Sequence, residues 1–280
     1  MDEKGNLLPA GMTGEVVIRG GNVAQGYDNN SAANAAAFTN GWFRSGDQGA
    51  IDKEGYLSLT GRLKEIINRG GEKISPREID EVLLTHPGVR QAVAFPVSHP
   101  TLGEDVVAAV VTKGGSALSE HQLREFAFQH LPGFKVPSRI VIVSEIPQGP
   151  TGKVQRVGLA DRLKQDLLVP YEPPRERLEQ LAAKTFEQIL RLDRVGRNDN
   201  FFTRGGDSIR ATQVVARLMD ALDLNPSPAA LFRWPTPALL AAELARLQEE
   251  QEIDALAAQL RRLPPQEAAR LLHREARGGT

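Results

Sequence analysis

Apolar positions in the first sixty residues come in short runs that glycines interrupt, a pattern typical of small antiparallel β-structure. Residues 15–19 form one such run, which Gly20 and Gly21 end. Residues 55–60 form another, and the Asp-Lys-Glu-Gly sequence at 52–55 predicts a turn that leads into it. We therefore predict β-structure for this N-terminal segment.

From residue 61 the pattern changes to alternating helices and strands. Ser75 and Glu78 have the spacing of a helix-capping box, with a proline at the first helical position between them. Ser119 and Gln122 form a second capping box and predict another helix. Three apolar runs predict buried strands, at residues 91–97, 106–112 and 139–143. We predict a small α+β domain over residues 61–166.

Prolines at positions 170, 173 and 174 predict an interdomain linker at residues 167–174. Beyond the linker, apolar residues recur three or four positions apart and predict helices throughout. We expect a four-helix bundle at residues 175–247 and a charged, amphipathic tail at 248–280. The predicted apolar helix faces are Leu178, Leu181, Phe186, Ile189 and Leu190, then Ile209, Val214, Val215, Leu218 and Leu222, then Leu239, Leu240, Leu244 and Leu247.

Composition narrows the possible functions of these 280 residues. The net charge of −1 gives no electrostatic reason to expect nucleic acid or an anionic membrane as a partner. The chain has no cysteine, which excludes disulfides, zinc–cysteine sites, iron–sulfur clusters and a cysteine nucleophile. Its five histidines lack metal-ligand spacing, so we expect no metal site. No apolar run has membrane-spanning length and no signal peptide is evident, which makes the cytoplasm the expected location.

The most specific short element is Gly205-Gly206-Asp207-Ser208, placed where a helix is predicted to begin. A helix N-terminus favours an anion on the serine oxygen, although a serine there is most often an N-cap. With residues 199–213 and 231–236, this element resembles the peptidyl carrier domains of nonribosomal peptide synthetases. The resemblance implies that a phosphopantetheinyl transferase attaches 4'-phosphopantetheine to Ser208. The thiol that the sequence lacks would then arrive on this group.

Four further signatures lie in order along the first 166 residues, at 14–27, 41–47, 61–76 and 149–156. Together they resemble the adenylate-forming enzymes, which include acyl-CoA synthetases and peptide-synthetase adenylation domains. The resemblance implies that residues 1–60 are a C-terminal remnant of the large adenylation subdomain. Residues 61–166 would be the mobile C-terminal subdomain.

Three residues near the junction of these segments have roles implied by the resemblance. Asp47, which we expect in a turn, would accept hydrogen bonds from the ribose hydroxyls of ATP; otherwise it only stabilises the turn. Arg62 would contact the ribose or phosphates, and its alternative is a surface ion pair. Lys64 stands at the hinge about which the mobile subdomain rotates, or is only an exposed lysine at a strand end.

The last signature and a later part of the 61–76 signature contain three further residues with roles implied by the resemblance. Lys153 lies in a Gly-flanked loop and resembles the catalytic lysine of adenylation, since its ammonium can offset charge on the carboxylate and α-phosphate. Its alternative is a solvated loop lysine. Gly70 and Gly71 resemble the loop that lines the pantetheine tunnel, where glycine permits close approach, and their alternative is a plain β-turn.

The family's phosphate-binding loop and acyl-pocket segments have no counterpart in this sequence. We therefore expect no adenylate formation by the chain alone, and we expect a fragment of a longer synthetase, one half of a split enzyme or an engineered piece. Residues 64–75 are most similar to acyl-CoA ligases, especially plant oxalate–CoA ligases, whereas amino-acid-activating domains usually have Asp at the position of Lys64. This favours a carboxylic acid as substrate.

Completed by the missing N-terminal adenylation part, the chain would use ATP and Mg²⁺ to form an acyl-AMP. It would then load its own carrier, with downstream synthetase domains as partners. The alternative function is a non-enzymatic carrier loaded in trans beside an inert adenylation remnant. The tail at residues 250–276 is either a docking helix for another synthetase subunit or a plain amphipathic helix.

Overall fold

The computed structural model describes residues 1–114, 117–149, 152, 154–227 and 229–261. It divides into two compact units, Met1–Leu168 and Val169–Thr280, which are described separately. Within the described ranges, no helix is both long and apolar enough to cross a membrane.

The first unit opens with an antiparallel sheet in which β3 (Trp42–Ile51) is central and pairs with β1 (Gly14–Ile18), β2 (Phe38–Thr39) and β4 (Leu57–Arg62). The predicted turn before β4 is confirmed, since Asp52 Oδ1 accepts a hydrogen bond from the Tyr56 amide (2.8 Å). The elements are β1 (Gly14–Ile18), α1 (Ser31–Ala37), β2 (Phe38–Thr39), β3 (Trp42–Ile51) and β4 (Leu57–Arg62), followed by a 3-10 turn (Leu63–Glu65).

A second sheet follows, with the strand order β6 (Glu72–Ile74), β5 (Ile67–Arg69), β8 (Gly103–Thr112), β7 (Val89–His99), and β9 (Arg139–Ile142) pairs in parallel with β8. The hairpin of β7 and β8, at one side of this sheet, comes from two continuous apolar runs, as the sequence predicts. The elements are β5 (Ile67–Arg69), β6 (Glu72–Ile74), α2 (Pro76–Leu84), β7 (Val89–His99), β8 (Gly103–Thr112), α3 (Glu120–His130), β9 (Arg139–Ile142), α4 (Leu159–Arg162) and α5 (Lys164–Leu167).

Alternate residues of β7 and β8 point into two separate cores, one on each face of this sheet. On one face, Ala94 and Ala108 lie in the core that Ile79 of α2 and Leu123 of α3 complete. On the other face, Phe95, Val107 and Ala109 pack with Leu159 and Leu163 of the α4 region. Burial on both faces explains why these strands have no polar alternation.

One of the two predicted capping boxes is wrong. Ser75 does precede α2, with Pro76 as the first helical residue, but its hydroxyl donates to the carbonyl of Thr60 (2.5 Å). Glu78, the expected capping partner, instead accepts from Lys135 Nζ (2.7 Å). The box formed by Ser119 and Gln122 is confirmed, with both reciprocal hydrogen bonds present.

The described part of the second unit is helical. Its helices are α6 (Arg177–Leu190), α7 (Ser208–Leu222), α8 (Ala230–Arg233) and α9 (Pro237–Leu260). Phe186 and Phe201 are fully buried where the helices meet, and each stabilises the unit by about 2–3 kcal/mol. Ile209 departs from the predicted apolar face, because its side chain is 75% exposed.

Helix α9 continues without a break across residues 247 and 248, where the sequence predicts the change from carrier to tail. The remainder of the predicted tail, residues 262–280, lies outside the described residues.

Candidate functional site

Asp47 and Arg62 are brought together by the register of β3 and β4. The two residues are directly opposite each other, and Arg62 Nε lies 3.0 Å from Asp47 Oδ1. The expectation that Asp47 lies in a turn is wrong, since it belongs to a ten-residue strand. The ion pair offered as the alternative role of Arg62 is present, and its partner is the other residue proposed to contact the nucleotide.

The position of Asp47 in β3 is fixed by polar contacts with the neighbouring strand β1. The Asp47 amide donates to Ser45 Oγ (3.0 Å), and Ser45 Oγ donates to the Val16 carbonyl (2.7 Å). Glu15, which is buried, accepts from the Gly46 amide (3.1 Å). The side chains of Asp47 and Arg62 remain 28% and 56% exposed, so a ligand in solution can reach them.

Lys64 lies in the 3-10 turn (Leu63–Glu65) that joins the two sheets of the first unit. Its side chain is exposed, and it follows Arg62 by two positions. A rotation of the backbone here would move the second sheet relative to the first, which is the geometry that a hinge requires.

Gly70 and Gly71 form the two-residue turn between β5 and β6. Both have positive φ, at +61° and +97°, which suits the primed turns of tight hairpins and favours glycine. Asn68 Oδ1 accepts from the Gly71 amide (3.1 Å), and the Leu102 carbonyl accepts from the Gly70 amide (2.9 Å). The β-turn given as the alternative interpretation is therefore present.

Lys153, the predicted catalytic residue, lies outside the described residues together with Pro150 and Thr151. On either side of this segment, Gln148 and Val154 form an antiparallel bridge.

Sequence reasoning missed a polar cluster around Arg156, a residue quoted only as the end of the last signature. Arg156 Nε donates to Glu65 Oε2 (3.1 Å), and its Nη2 donates to Asp80 Oδ2 (2.8 Å). Its Nη1 donates to Asp80 Oδ1 (3.3 Å) and to the carbonyl of Ala94. The only available sequence signal was the arginine itself, because its acidic partners are 76 and 91 positions away.

Ser208 is the first residue of α7 and is exposed. The N-cap is Asp207, whose Oδ1 accepts from the Arg210 amide (2.8 Å). The alternative that Ser208 serves as the N-cap is therefore wrong. The helix begins with a serine that is not needed for capping and that lies at the positive end of the helix dipole.

The loop before Ser208 is anchored by close packing of Gly206 on Phe201. A Cβ on Gly206 would lie 2.2 Å from the Phe201 ring and 2.7 Å from the Phe201 carbonyl oxygen. The Gly206 amide donates to that carbonyl (2.9 Å), and Gly205 adopts a positive φ of +101°. The two glycines are thus required by packing and backbone geometry, which fixes the direction in which the chain enters α7.

Comparison with known proteins agrees with both parts of this arrangement. Residues 78–153 match the family model of the AMP-binding enzyme C-terminal domain. Residues 180–244 match that of the phosphopantetheine attachment site. The chain belongs to the adenylate-forming enzymes. More specifically, it joins the C-terminal part of such an enzyme to a peptidyl carrier domain, which indicates 4'-phosphopantetheine as prosthetic group and implies ATP or AMP as ligand.

Among its relatives, an oxalate–CoA ligase from Arabidopsis thaliana is 49% identical over 156 residues, which are 56% of this chain and 30% of that protein. Another from Saccharomyces cerevisiae is 48% identical over 163 residues, 58% of this chain and 30% of that protein. Tyrocidine synthase 2 from Brevibacillus parabrevis is 33% identical over 254 residues, or 86% of this chain and 7% of that protein. The chain thus spans less than a third of the length of these relatives.

The solved structures that resemble the chain include those of MatB and McyG A-PCP. ATP-bound MatB from Rhodopseudomonas palustris is 33% identical with a TM-score of 0.55, and the match covers 58% of this chain and 33% of that one. McyG A-PCP complexed with phenylalanyl-adenylate is 26% identical with a TM-score of 0.59, and the match covers 87% of this chain and 42% of that one.

Proposed function

We propose that this chain provides the mobile subdomain and the carrier of an acyl ligase. The ligase activates a carboxylic acid as an acyl-AMP and loads it onto the phosphopantetheine of Ser208. The observation that carries this proposal is the exposed Ser208 at the start of α7, with Asp207 as the cap, in the same chain as the Asp47–Arg62 pair.

The proposed organisation keeps the boundaries predicted from the sequence. Residues 1–60 are the end of the large subdomain, and residues 61–166 are the mobile subdomain. A linker at 167–174 leads to a four-helix carrier at 175–247 and a tail at 248–280. The family matches at 78–153 and 180–244 lie within the two proposed functional domains.

The surroundings of Ser208 fit a phosphodiester-linked group. Its side chain is exposed, and the helix N-terminus favours a negative charge on its oxygen. When attached, the group supplies the thiol that holds the acyl chain as a thioester. The role of Ser208 is to place that attachment point at the outer end of a rigid helix.

In the first half-reaction, a carboxylate oxygen of the acid bonds to the α-phosphorus of ATP and pyrophosphate leaves. We assign the ribose hydroxyls to the Asp47 carboxylate, which Arg62 keeps oriented from the opposite strand. Lys153 offsets the charge that develops between carboxylate and phosphate. Mg²⁺ bound with ATP would supply further positive charge to the phosphates. In the second half-reaction, the acyl group would pass from AMP to the thiol of the group held by Ser208, with release of AMP and the thiol proton.

Rotation about Lys64 separates the two half-reactions. In our proposal it withdraws Lys153 and brings the Gly70–Gly71 turn towards the acyl-AMP. A turn without side chains leaves room for the pantetheine arm. The substrate is proposed to be a carboxylic acid rather than an α-amino acid, which is supported by the 49% identity to an oxalate–CoA ligase over 156 residues.

Intact-protein mass spectrometry tests the carrier function. After incubation with CoA and a phosphopantetheinyl transferase, we expect the chain to gain the mass of one phosphopantetheine. Ser208→Ala should gain none, whereas the control Ser227→Ala should be modified like the parent. Modification of Ser208→Ala, or no modification of the parent, would contradict the proposal.

ATP–pyrophosphate exchange tests the adenylation function. We expect no exchange by the chain alone, and exchange once an ATP- and acyl-binding region from an oxalate–CoA ligase relative is joined to its N-terminus. If the joined protein shows no exchange, the alternative function, a non-enzymatic carrier loaded in trans, describes this chain better.

A further inference from the structure

The guanidinium of Arg156 connects three separate elements of the first unit. It donates to Glu65 in the 3-10 turn, to both oxygens of Asp80 in α2, and to the Ala94 carbonyl in β7. Asp80 Oδ1 also accepts from the Ala94 amide (2.5 Å). Arg156 thus takes part in a closed polar network that requires its planar fork of donors.

This network is withdrawn from solvent. The side chains of Arg156 and Asp80 are each 13% exposed, and that of Glu65 is 25% exposed. Burial raises the pKa of the Asp80 carboxyl, although the hydrogen bonds from Arg156 oppose this effect. Burial also acts to lower the pKa of Arg156, but Asp80 and Glu65 outweigh it and leave that pKa raised. A buried network of this kind holds its members far more firmly than an exposed ion pair does.

Two members of the network lie close in sequence to the proposed hinge and to the proposed catalytic lysine. Glu65 is the residue immediately after Lys64, and Arg156 is three residues after Lys153. The hydrogen bond between them therefore joins the first residue beyond the proposed hinge to the chain segment that carries the proposed catalytic lysine. The contacts with Asp80 and Ala94 connect Arg156, and through it Glu65, to helix α2 and strand β7.

We propose that Arg156 is a positioning residue that makes residues 154–156, Glu65 and α2 one rigid body. Rotation at Lys64 is then transmitted to Val154, the residue that directly follows Lys153 in the sequence. The inference rests on the proposed function, which assigns the hinge to Lys64 and adenylation to Lys153.

A positioning role predicts a selective kinetic effect. In the joined ligase, Arg156→Lys should lower kcat for ATP–pyrophosphate exchange by about 100-fold, because a misplacement of about 1 Å has that effect on a catalytic group. The KM for ATP and the modification of Ser208 should stay unchanged. A lysine ammonium is a point charge and cannot bridge Glu65, Asp80 and the Ala94 carbonyl together.

A distance measurement on the chain itself tests the inference independently of catalysis. Because the chain has no cysteine, spin labels can be attached only where cysteines are introduced. We choose Val154→Cys, next to Lys153, and Leu84→Cys at the end of α2, since both side chains are exposed. Arg77→Ala is the matched control, because Arg77 is an exposed arginine of α2 paired only with Glu81 among the interactions described for it.

We expect Arg156→Ala to broaden the distribution of distances between the labels at Val154 and Leu84 about twofold, because residues 154–156 open locally. Arg77→Ala should leave this distribution unchanged. If circular dichroism shows that Arg156→Ala is unfolded, Arg156→Lys replaces it, with the same broadening expected. A distribution as narrow as that of the parent in the folded variant overturns the inference. Failure of the proposed function would instead appear as absent pyrophosphate exchange in the unmutated ligase.

Discussion

Asp47 and Arg62 face each other across adjacent antiparallel strands, with Arg62 Nε 3.0 Å from Asp47 Oδ1. Both residues are proposed nucleotide contacts, and the strand register brings their side chains into direct contact. Lys64 follows two residues later in the turn that joins the two sheets. The proposed nucleotide contacts and the proposed hinge are therefore adjacent in the structure as well as in the sequence.

Replacing the Asp47 carboxylate should impair ATP use far more than folding. We expect Asp47→Asn to lower kcat/KM for ATP in the joined ligase by about 10- to 100-fold, as hydrogen bonds to a charged group contribute about 1.5–3 kcal/mol. The free energy of unfolding of the chain should change by less than about 1 kcal/mol, because the ion pair with Arg62 is partly exposed. Pyrophosphate exchange and denaturant unfolding measure the two quantities.

The matched control for Asp47→Asn is Glu54→Gln, a change of one exposed acid in the neighbouring turn. It should leave both the exchange rate and the unfolding free energy unchanged. Equal loss of exchange in the two variants, or none in Asp47→Asn, would remove Asp47 from the proposed nucleotide site.

Gly206 should tolerate no side chain. A Cβ at this position would meet the Phe201 ring at 2.2 Å and the Phe201 carbonyl oxygen at 2.7 Å. We expect Gly206→Ala to destabilise the carrier by about 1–3 kcal/mol, the usual effect of overpacking, and to slow modification of Ser208. Thermal unfolding of the second unit, followed by its helical circular dichroism signal, measures the stability.

Ile209→Ala is the control for Gly206→Ala, since it removes atoms from the same region without creating a cavity. Its side chain is 75% exposed, so the unfolding temperature should stay close to that of the parent. An unchanged unfolding temperature in Gly206→Ala would mean that the loop before α7 can move away from Phe201 at little cost.

Sequence patterns predict those elements that are determined by residues close together in the sequence. The strands β7 and β8 are continuous apolar runs, and the capping box joins Ser119 and Gln122, which are only three positions apart. Ser208 was found because glycine, aspartate and serine adjoin a helical pattern. In each case the chemistry that decides the structure lies within a few residues in the sequence.

Features that depend on contacts between residues far apart in the sequence leave no local pattern, and sequence patterns do not predict them. Strand β3 contains Gly46 and Gly49 among polar residues, and its extended form comes from pairing with β1 and β4 on its two sides. Taken alone, this polar stretch with its glycines favours a turn at Asp47. The Ser75 hydroxyl likewise bonds to a carbonyl 15 positions away, and Arg156 finds Asp80 at a separation of 76.

Acid should weaken the carrier through one buried carboxylate. Glu179 accepts from Arg197 Nη2 (2.6 Å) and Nε (3.1 Å), and these hydrogen bonds hold the pKa of Glu179 below its ordinary value of 4.5. A lowered pKa contributes stability that is present above pH 4.5 and is lost as the pH falls through the folded-state pKa. The parent should therefore lose stability on acidification below that range.

Glu179→Gln should remove this contribution. Its unfolding temperature should lie below that of the parent at about pH 7, and the difference should shrink towards about pH 3, where the carboxylate is protonated in both states. Glu249→Gln, an exposed position in α9, is the control and should follow the parent throughout. A difference between parent and Glu179→Gln that is independent of pH would show that packing, rather than charge, is what the substitution changes.

Arg156 should stabilise the first unit mainly by keeping Asp80 ionised within the fold. Arg156→Ala leaves a buried carboxylate without its cation, which costs about 3–5 kcal/mol at neutral pH. Without the hydrogen bonds from Arg156, burial should raise the pKa of Asp80 further above its ordinary value of 3.8. A raised carboxyl pKa contributes stability that is lost as the pH rises, so the variant should be less impaired at about pH 4 than at about pH 7.

Asp80→Asn in the Arg156→Ala background separates this charge effect from lost packing. The neutral amide removes the unpaired charge while its oxygen can still accept from the Ala94 amide, as Asp80 Oδ1 does at 2.5 Å. We expect the double variant to be more stable than Arg156→Ala at about pH 7 and its stability to depend less on pH. Denaturant unfolding at the two pH values measures both effects. If the double variant is no more stable than Arg156→Ala, the pairing with Asp80 is not what makes Arg156 important, and its contact with Glu65 becomes the dominant one.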